Sequence, residues 1–292
     1  MNGPVKGTRH ALPRNLTVVF FVALSVYFLL PVVWLVISAT KNTADLYGTS
    51  GFWFAHFDLG RNLSDVFSFD GNTFGENGQL ARWLLNSFVY SGVGAFGATF
   101  ISAMAGYGLA KYSFRGREAI FKMVLGGLLI PSTVLALPIF LVLSKLNLTN
   151  TYWGVLLPSL VSPFGVYLSR VYATASVPNE IIESARLDGA GELRIFFTMA
   201  VRIMSPALAT VFLFQFVAIW TNFFLPLMVL TDRNLWPVTL GLFAWQQQAN
   251  IRPDVIRLVV TGSLVATLPL VITFFTLQRY WRAGIATGSV KL

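Results

Sequence analysis

Residues 16–37 run for twenty-two positions without a charge, interrupted only by the mild polar groups of Thr17 and Ser25. Where water is absent, a backbone must satisfy its own N–H and C=O groups, so such a run is viable as a membrane helix. At about 1.5 Å per residue it covers about 33 Å, enough for a hydrocarbon core of about 30 Å. A cleaved export signal has a shorter apolar core, about 7 to 15 residues, ending in small residues. Pro31 and Trp34 do not fit that pattern. Five further apolar runs, 83–110, 119–143, 153–172, 206–230 and 255–277, follow the first. The expectation is an all-α membrane protein with six transmembrane helices. Composition agrees, because only 11% of the 292 residues are charged, against about 25% in a soluble domain.

The segments between these runs set the orientation. Residues 1–15 carry Lys6, Arg9 and Arg14 and no acid, whereas 41–82 is polar, glycine-rich and acidic, with aromatics such as Trp53 and Phe54 suited to a membrane interface. With the N-terminus in the cytoplasm, 14 of the 21 Lys and Arg and 5 of the 12 acids fall inside, leaving 7 of each outside. The whole net charge of +9 then faces the cytoplasm, as the positive-inside bias requires. The basic balance therefore reports topology and not nucleic-acid binding. Residues 1–15 form a cytoplasmic N-terminus and 16–292 one membrane domain. Within that domain, loops 41–82 and 231–254 are expected outside, and a hairpin at 177–205 and a tail at 278–292 inside.

Several chemistries are excluded. The chain has no cysteine, and its two histidines, His10 and His56, lie in different polar segments, so no metal site is expected. Gly92, Gly94 and Gly97 spell a G-x-G-x-x-G, but no strand precedes it; small residues that let membrane helices approach closely are the better account. No phosphate-binding G-x-x-x-x-G-K-[S/T] occurs, so the chain is not itself an ATPase. The spans lack the clustered acids and nucleophiles of a membrane-embedded transferase, so no catalytic residue is named. They also carry few charges, Lys122 near an end among them, which argues against a self-sufficient ion-coupled carrier.

One long polar segment mixes both signs of charge with a helical pattern. Pro178 suits a first helical turn, and Glu180 and Glu183 lie near the positive end of the helix dipole. Asp188, Gly189, Ala190 and Gly191 break the run with small turn-formers. Leu193, Phe196, Phe197, Ala200 and Met204 then recur at spacings of three and four, predicting a second short helix with one apolar stripe.

This hairpin carries a resemblance. Glu183-Ser184-Ala185, two residues, then Asp188-Gly189-Ala190 resembles the "EAA" loop of permease subunits of bacterial ABC importers. Ser184 replaces the middle alanine of that pattern. Arg202 stands where the family usually has proline, with Pro206 four residues on, which leaves helix continuity into the next span open. Asn150-Thr151-Tyr152-Trp153 is similar to the N-T-Y-W of carbohydrate-importer permeases, and Trp220-Thr221-Asn222-Phe223-Phe224-Leu225-Pro226-Leu227 to their W-N-E-F-L-W-P-L, with Asn222 in place of the usual acid. The C-terminal stretch from Gln278 to Lys291 resembles their Q-R-Y-F…G…G-A-V-K-G. The likeness runs from Asn86 to the end and points to the second permease of maltose-type sugar importers, with a type I importer fold.

The resemblance implies a heteromeric complex in the bacterial plasma membrane: this chain, a homologous permease, two ATPase subunits holding ATP and Mg, and an extracytoplasmic sugar-binding protein. It assigns ATPase coupling to Glu183, Ser184, Ala185, Asp188, Gly189 and Ala190, with the alanines allowing close docking, and a tail contact to Gly288 and Lys291. Gln246, Gln247, Gln248 and Asn250 correspond to a loop that reaches toward the binding protein. Trp220, Asn222 and Asn86 are candidates for the sugar path, because aromatic faces and amides suit sugars; the alternative for each is packing or hydrogen bonding between helices. No cofactor is expected in the chain itself. A sugar-like solute such as a glycerol phosphate stays open as cargo.

Overall fold

The computed structural model describes residues 14–68 and 79–288. Among them no strand occurs. Five helical segments are long and apolar enough to cross a membrane, or six if one sharply bent pair counts as a span. Helix α1 (Arg14–Ala39) is the first. Two short helices absent from the sequence expectation follow, α2 (Thr43–Gly48) and α3 (Leu59–Ser68). Next comes α4 (Gln79–Lys111), whose 33 residues extend about 50 Å. That exceeds a hydrocarbon core of about 30 Å, so α4 projects beyond it and carries Lys111 to the hairpin.

The third run is not one rod. Between helices α5 (Arg117–Leu128) and α6 (Ser132–Lys145) the chain bends by 106°. Pro131 lacks an N–H and disfavours helical geometry at Ile130, and Gly126 and Gly127 weaken the turn before it. Pro138 lies inside α6 without breaking it. The fourth run is interrupted at 160–162, between α7 (Tyr152–Ser159) and α8 (Pro163–Ser176). Ser162 caps α8 by accepting from the Gly165 N–H at 2.9 Å, with Pro163 at the first helical position.

After α9 (Asn179–Leu187), helix α10 (Glu192–Ile195) passes through a π turn at Phe196–Ala200 into α11 (Val201–Trp220). Together these make one span of 29 residues, Glu192–Trp220. The expected boundary at Pro206 is thus corrected: the second hairpin helix and the fifth span are one element. Arg202 sits within it on an exposed face, where it interrupts nothing. Short helix α12 (Phe224–Val229), helix α13 (Val238–Ala249) and the long α14 (Ile256–Gly288) complete the chain. Helix α14 continues well past the expected boundary at Leu277.

Two apolar cores hold the bundle. One gathers Trp83, Tyr90, Val155, Phe216, Trp220, Trp245 and Leu258; the other, at the hairpin end, gathers Tyr107, Ala173, Ile182, Ile195, Phe196 and Met204. Helices α4 and α8 approach closely because Gly106 has no side chain. A Cβ there would lie 2.5 Å from that of Ser169 and 2.6 Å from the Arg170 nitrogen.

Gly106→Val should therefore force α4 and α8 apart and lower resistance to unfolding by about 1–3 kcal/mol. Gly92→Val, facing open space, should leave it unchanged; denaturant titration of the purified chain measures both.

Candidate functional site

The hairpin is built from its own core outward. Ile182 and Ala185 fall three apart on α9 and both are buried against Ile195, Phe196 and Ala200. Ala185, expected on the docking face, packs instead onto the bundle and holds α9 there. The apolar stripe of the second helix also differs from expectation. Phe196, Ala200 and Met204 are buried as predicted, but Ile195 joins them while Leu193 and Phe197 are exposed. The π turn rotates the face by one residue, and the 3.6 period used on the sequence misses that.

The turn between the helices is a Schellman C-cap. Gly189 has φ +82, the Ala190 N–H donates to the Ala185 carbonyl at 2.9 Å and the Gly189 N–H to that of Arg186 at 3.0 Å. Across the turn the Arg186 Nε meets Glu192 Oε1 at 2.6 Å, and the Tyr112 hydroxyl donates to Glu192 Oε2 at 2.6 Å. Burial, and then the bond to Glu192, raise the Tyr112 pKa above the usual phenol range, so it stays a donor. Lys111 donates to the Val177 carbonyl and, at 2.9 Å, to Asn179 Oδ1. Both hairpin helices are thereby tied to the end of α4.

What remains exposed is the candidate docking face: Glu180, Glu183, Ser184, Asp188, Gly189 and the tip residue Leu187, at 89% exposure. Glu183 and Asp188 make no ion pair with the described residues. Ser184 donates to the Ile181 carbonyl within its own helix. Sequence reasoning missed Leu187, which periodicity assigns to no face, and Tyr112, which meets Glu192 from 80 residues away. It missed one more link at this end. Arg170 on α8 bonds Glu118 on α5 at 2.6 Å and lies 3.7 Å over the Phe121 ring, coupling the helix that leads into the hairpin to the bent pair.

The sugar-path candidates are all internally engaged. Asn86 is buried; its Nδ2 donates to the carbonyls of Asn234 at 2.8 Å and Trp236 at 2.9 Å, and its Oδ1 accepts from Tyr152 at 2.8 Å. Trp220 is buried, donates to the Ala266 carbonyl at 3.2 Å and packs on Phe88 and Phe216. Asn222 is half-buried: its Oδ1 accepts from the Leu225 N–H at 3.4 Å and its carbonyl accepts from Thr239. Its amide nitrogen makes no hydrogen bond among the described residues.

The Asn150 to Trp153 motif is likewise explained by its bonds. Asn150 adopts φ +56 and accepts from the N–H groups of Thr231 and Asp232; Thr151 caps α7; Tyr152 reaches Asn86. Gln246, Gln247 and Gln248 lie on α13, not in a loop as expected, and Asn250 follows its end. Gln246, Gln247 and Asn250 are exposed, and Gln248 is half-buried. Gly288 closes α14, and Lys291 lies outside the described residues.

A helical bundle with several apolar spans and a charged hairpin pinned at one end defines a multi-pass membrane protein. Residues 80–286 match the family described as binding-protein-dependent transport system inner membrane component, and the chain belongs to that family. It is 35% identical over 277 residues to the arabinooligosaccharides transport system permease protein AraQ of Bacillus subtilis strain 168, covering 93% of this chain and 94% of that one. It is 30% identical over 262 residues to the lactose transport system permease protein LacG of Rhizobium radiobacter, covering 89% and 90%. The fold is similar, at TM-score 0.76 and 19% identity over 92% of this chain and 99% of the other, to a crystal structure of a bacterial ABC transporter involved in the import of the acidic polysaccharide alginate.

Gly189→Ala should strain a left-handed position by about 1–2 kcal/mol and speed hydrogen exchange along α9. Gly191→Ala, at φ −70, should leave exchange unchanged.

Proposed function

We propose that this chain is a permease subunit of an ATP-driven carbohydrate importer, forming half of the translocation path and carrying motion from the hairpin into the bundle. The observation that carries this is the hairpin itself, bonded rigidly to α4 yet presenting unpaired Glu183 and Asp188 and the bare Leu187 to a partner. The names of the relatives, arabinooligosaccharide and lactose permeases, support carbohydrate as cargo. The complex then holds a homologous permease, two ATPase subunits that bind ATP and Mg, and an extracytoplasmic sugar-binding protein, with the hairpin on the cytoplasmic face.

In the cycle, closure of the ATPase pair pushes on Glu183, Ser184, Leu187 and Asp188. Because Glu192–Trp220 is one element, the push tilts the fifth span as well. The Arg170–Glu118 pair passes it to the bent pair α5 and α6. Hydrolysis resets the helices inward, which is alternating access. On the substrate side Asn222 keeps a free amide donor, and Trp220 and Asn86 act by fixing the helices that frame the path. The exposed glutamines of α13 and Asn250 face the binding protein.

In the assembled complex, Glu183→Ala should lower sugar uptake and binding-protein-stimulated ATP hydrolysis by about tenfold, an ordinary coupling free energy, with membrane insertion normal. Unchanged uptake would remove the coupling role. Separately, Arg170→Glu should lower uptake relative to ATP hydrolysis, and the reversed pair Arg170→Glu with Glu118→Arg should restore it. Failure of the reversed pair to recover uptake would show that the ion pair does not carry the motion.

A further inference from the structure

We propose that residues 49–58 form an interfacial anchor that seats Phe52, Trp53, Phe54 and Phe57 in the lipid headgroup layer beside the Ala39 end of α1. All four rings face outward, Trp53 at 76% and Phe57 at 69% exposure, within a stretch of six residues. Its single titratable side chain is His56, whose Nδ1 lies 3.1 Å from Asp45 Oδ2. An apolar surface this dense calls for a cover.

The loop is held in this pose from both ends. Lys41, buried to 1% exposure, spends its ammonium on the Thr49 hydroxyl at 2.9 Å and the Ser50 carbonyl at 2.6 Å, and meets no acid among the described residues. The Asp58 N–H donates to the Thr40 carbonyl at 2.7 Å. Asn62 on α3 donates to the carbonyls of Ala39 and Lys41, both at 2.9 Å, and Asp65 pairs with Arg257 on α14. A buried cation with only neutral partners is a costly arrangement. Its effect here is to fix the path of a loop whose side chains touch little else.

That path selects the occupant. Gly51 lies against the Trp34 indole, and Trp34 is five residues, about 7.5 Å, below the end of α1. The loop therefore folds back alongside α1 instead of rising away from it. The side of α1 is apolar and largely exposed from Leu16 to Val36, and only Ile37 to Ala39 are buried; the loop thus lies level with the last apolar turns of a membrane span, at the depth of the lipid headgroups, whereas a protein docking from water would approach beyond the helix end. Amphipathic aromatic rings at the boundary of the hydrocarbon are what that medium accommodates.

The test uses the full complex in phosphatidylcholine vesicles, with Trp53→Phe as reference so that the difference in emission belongs to Trp53. The expected result is strong quenching of the difference signal by phosphatidylcholine brominated near the head of its acyl chains, and little by aqueous iodide. Quenching by iodide without quenching by brominated lipid would overturn the proposal. So would resistance to both, or protection that arises only when the binding protein is added, since each places the ring against water or protein. With Lys41→Met the Trp53 signal should shift toward iodide; an unchanged profile would remove Lys41 as the tether.

Discussion

Nothing in a bilayer's interior can solvate an interrupted helix, and the geometry of this chain follows from how it satisfies its interruptions from within. The fourth span stops at 160–162, and there Ser162 caps α8 while its hydroxyl also accepts from Gln215 on α11. After Trp220 the fifth span ends, and Asn222 supplies an oxygen to the first turn of α12. The irregular stretch 233–236 is stitched to α4 by three donors, the Trp83 indole, the Asn86 amide and the Tyr90 hydroxyl, which bond the carbonyls of Arg233, Asn234, Leu235 and Trp236. The caps are local, but the bonds from Gln215 and from α4 join segments 53 to 150 residues apart. The bundle is thus held by apolar packing, and its irregular parts are held in register by a few buried amides and hydroxyls.

The same logic gives the hairpin end a different character. Its cross-links are ionic and reach the surface: Arg186 with Glu192, and the half-buried Arg170 with an exposed Glu118. Exposed pairs of this kind add little stability by themselves. The firm attachment is the small core of Ile182, Ala185, Ile195, Phe196 and Met204 beneath them. The hairpin is therefore secured by burial on its inner face and free to present charge on its outer face. The proposed coupling role needs both.

Much of this was legible in the sequence, and the failures share a cause. Long apolar runs located the membrane segments, because the bilayer imposes length and polarity locally, and Gly189 announced its turn because few other residues tolerate positive φ. Local pattern could not show that Pro131 breaks its helix while Pro138 does not, since the outcome depends on the glycines before one of them and on packing around both. Nor could it place Gln246, Gln247 and Gln248 on a helix, for α13 is held by Trp245 packing on Trp83, a contact across the fold. The motifs singled out by resemblance, Asn150 to Trp153 and Trp220 to Leu227, could be found in the sequence, but the bonds they make could not be read there. Trp220, Asn222 and Asn86 suit a sugar path by residue type, and the bonds that make Asn86 and Trp220 ties between helices could be seen only in the fold.

The π turn at Phe196–Ala200 brings these strands together. An α-helix that enters the bundle from the hairpin must bury Ile195 and Phe196 in the hairpin core and, further along, Met204, Ala207 and Val211 as well. A single 3.6-residue period aligned on the lower set leaves Leu193 and Phe197 facing inward, whereas both point out. Inserting one residue by a π turn resolves the conflict without breaking the rod, so the helix keeps its stiffness while changing its facing side. Proline at Arg202 would have removed a backbone bond at the point where that stiffness matters. In this chain the register change is made by backbone winding, and the continuity from Glu192 to Trp220 that the hairpin requires is preserved.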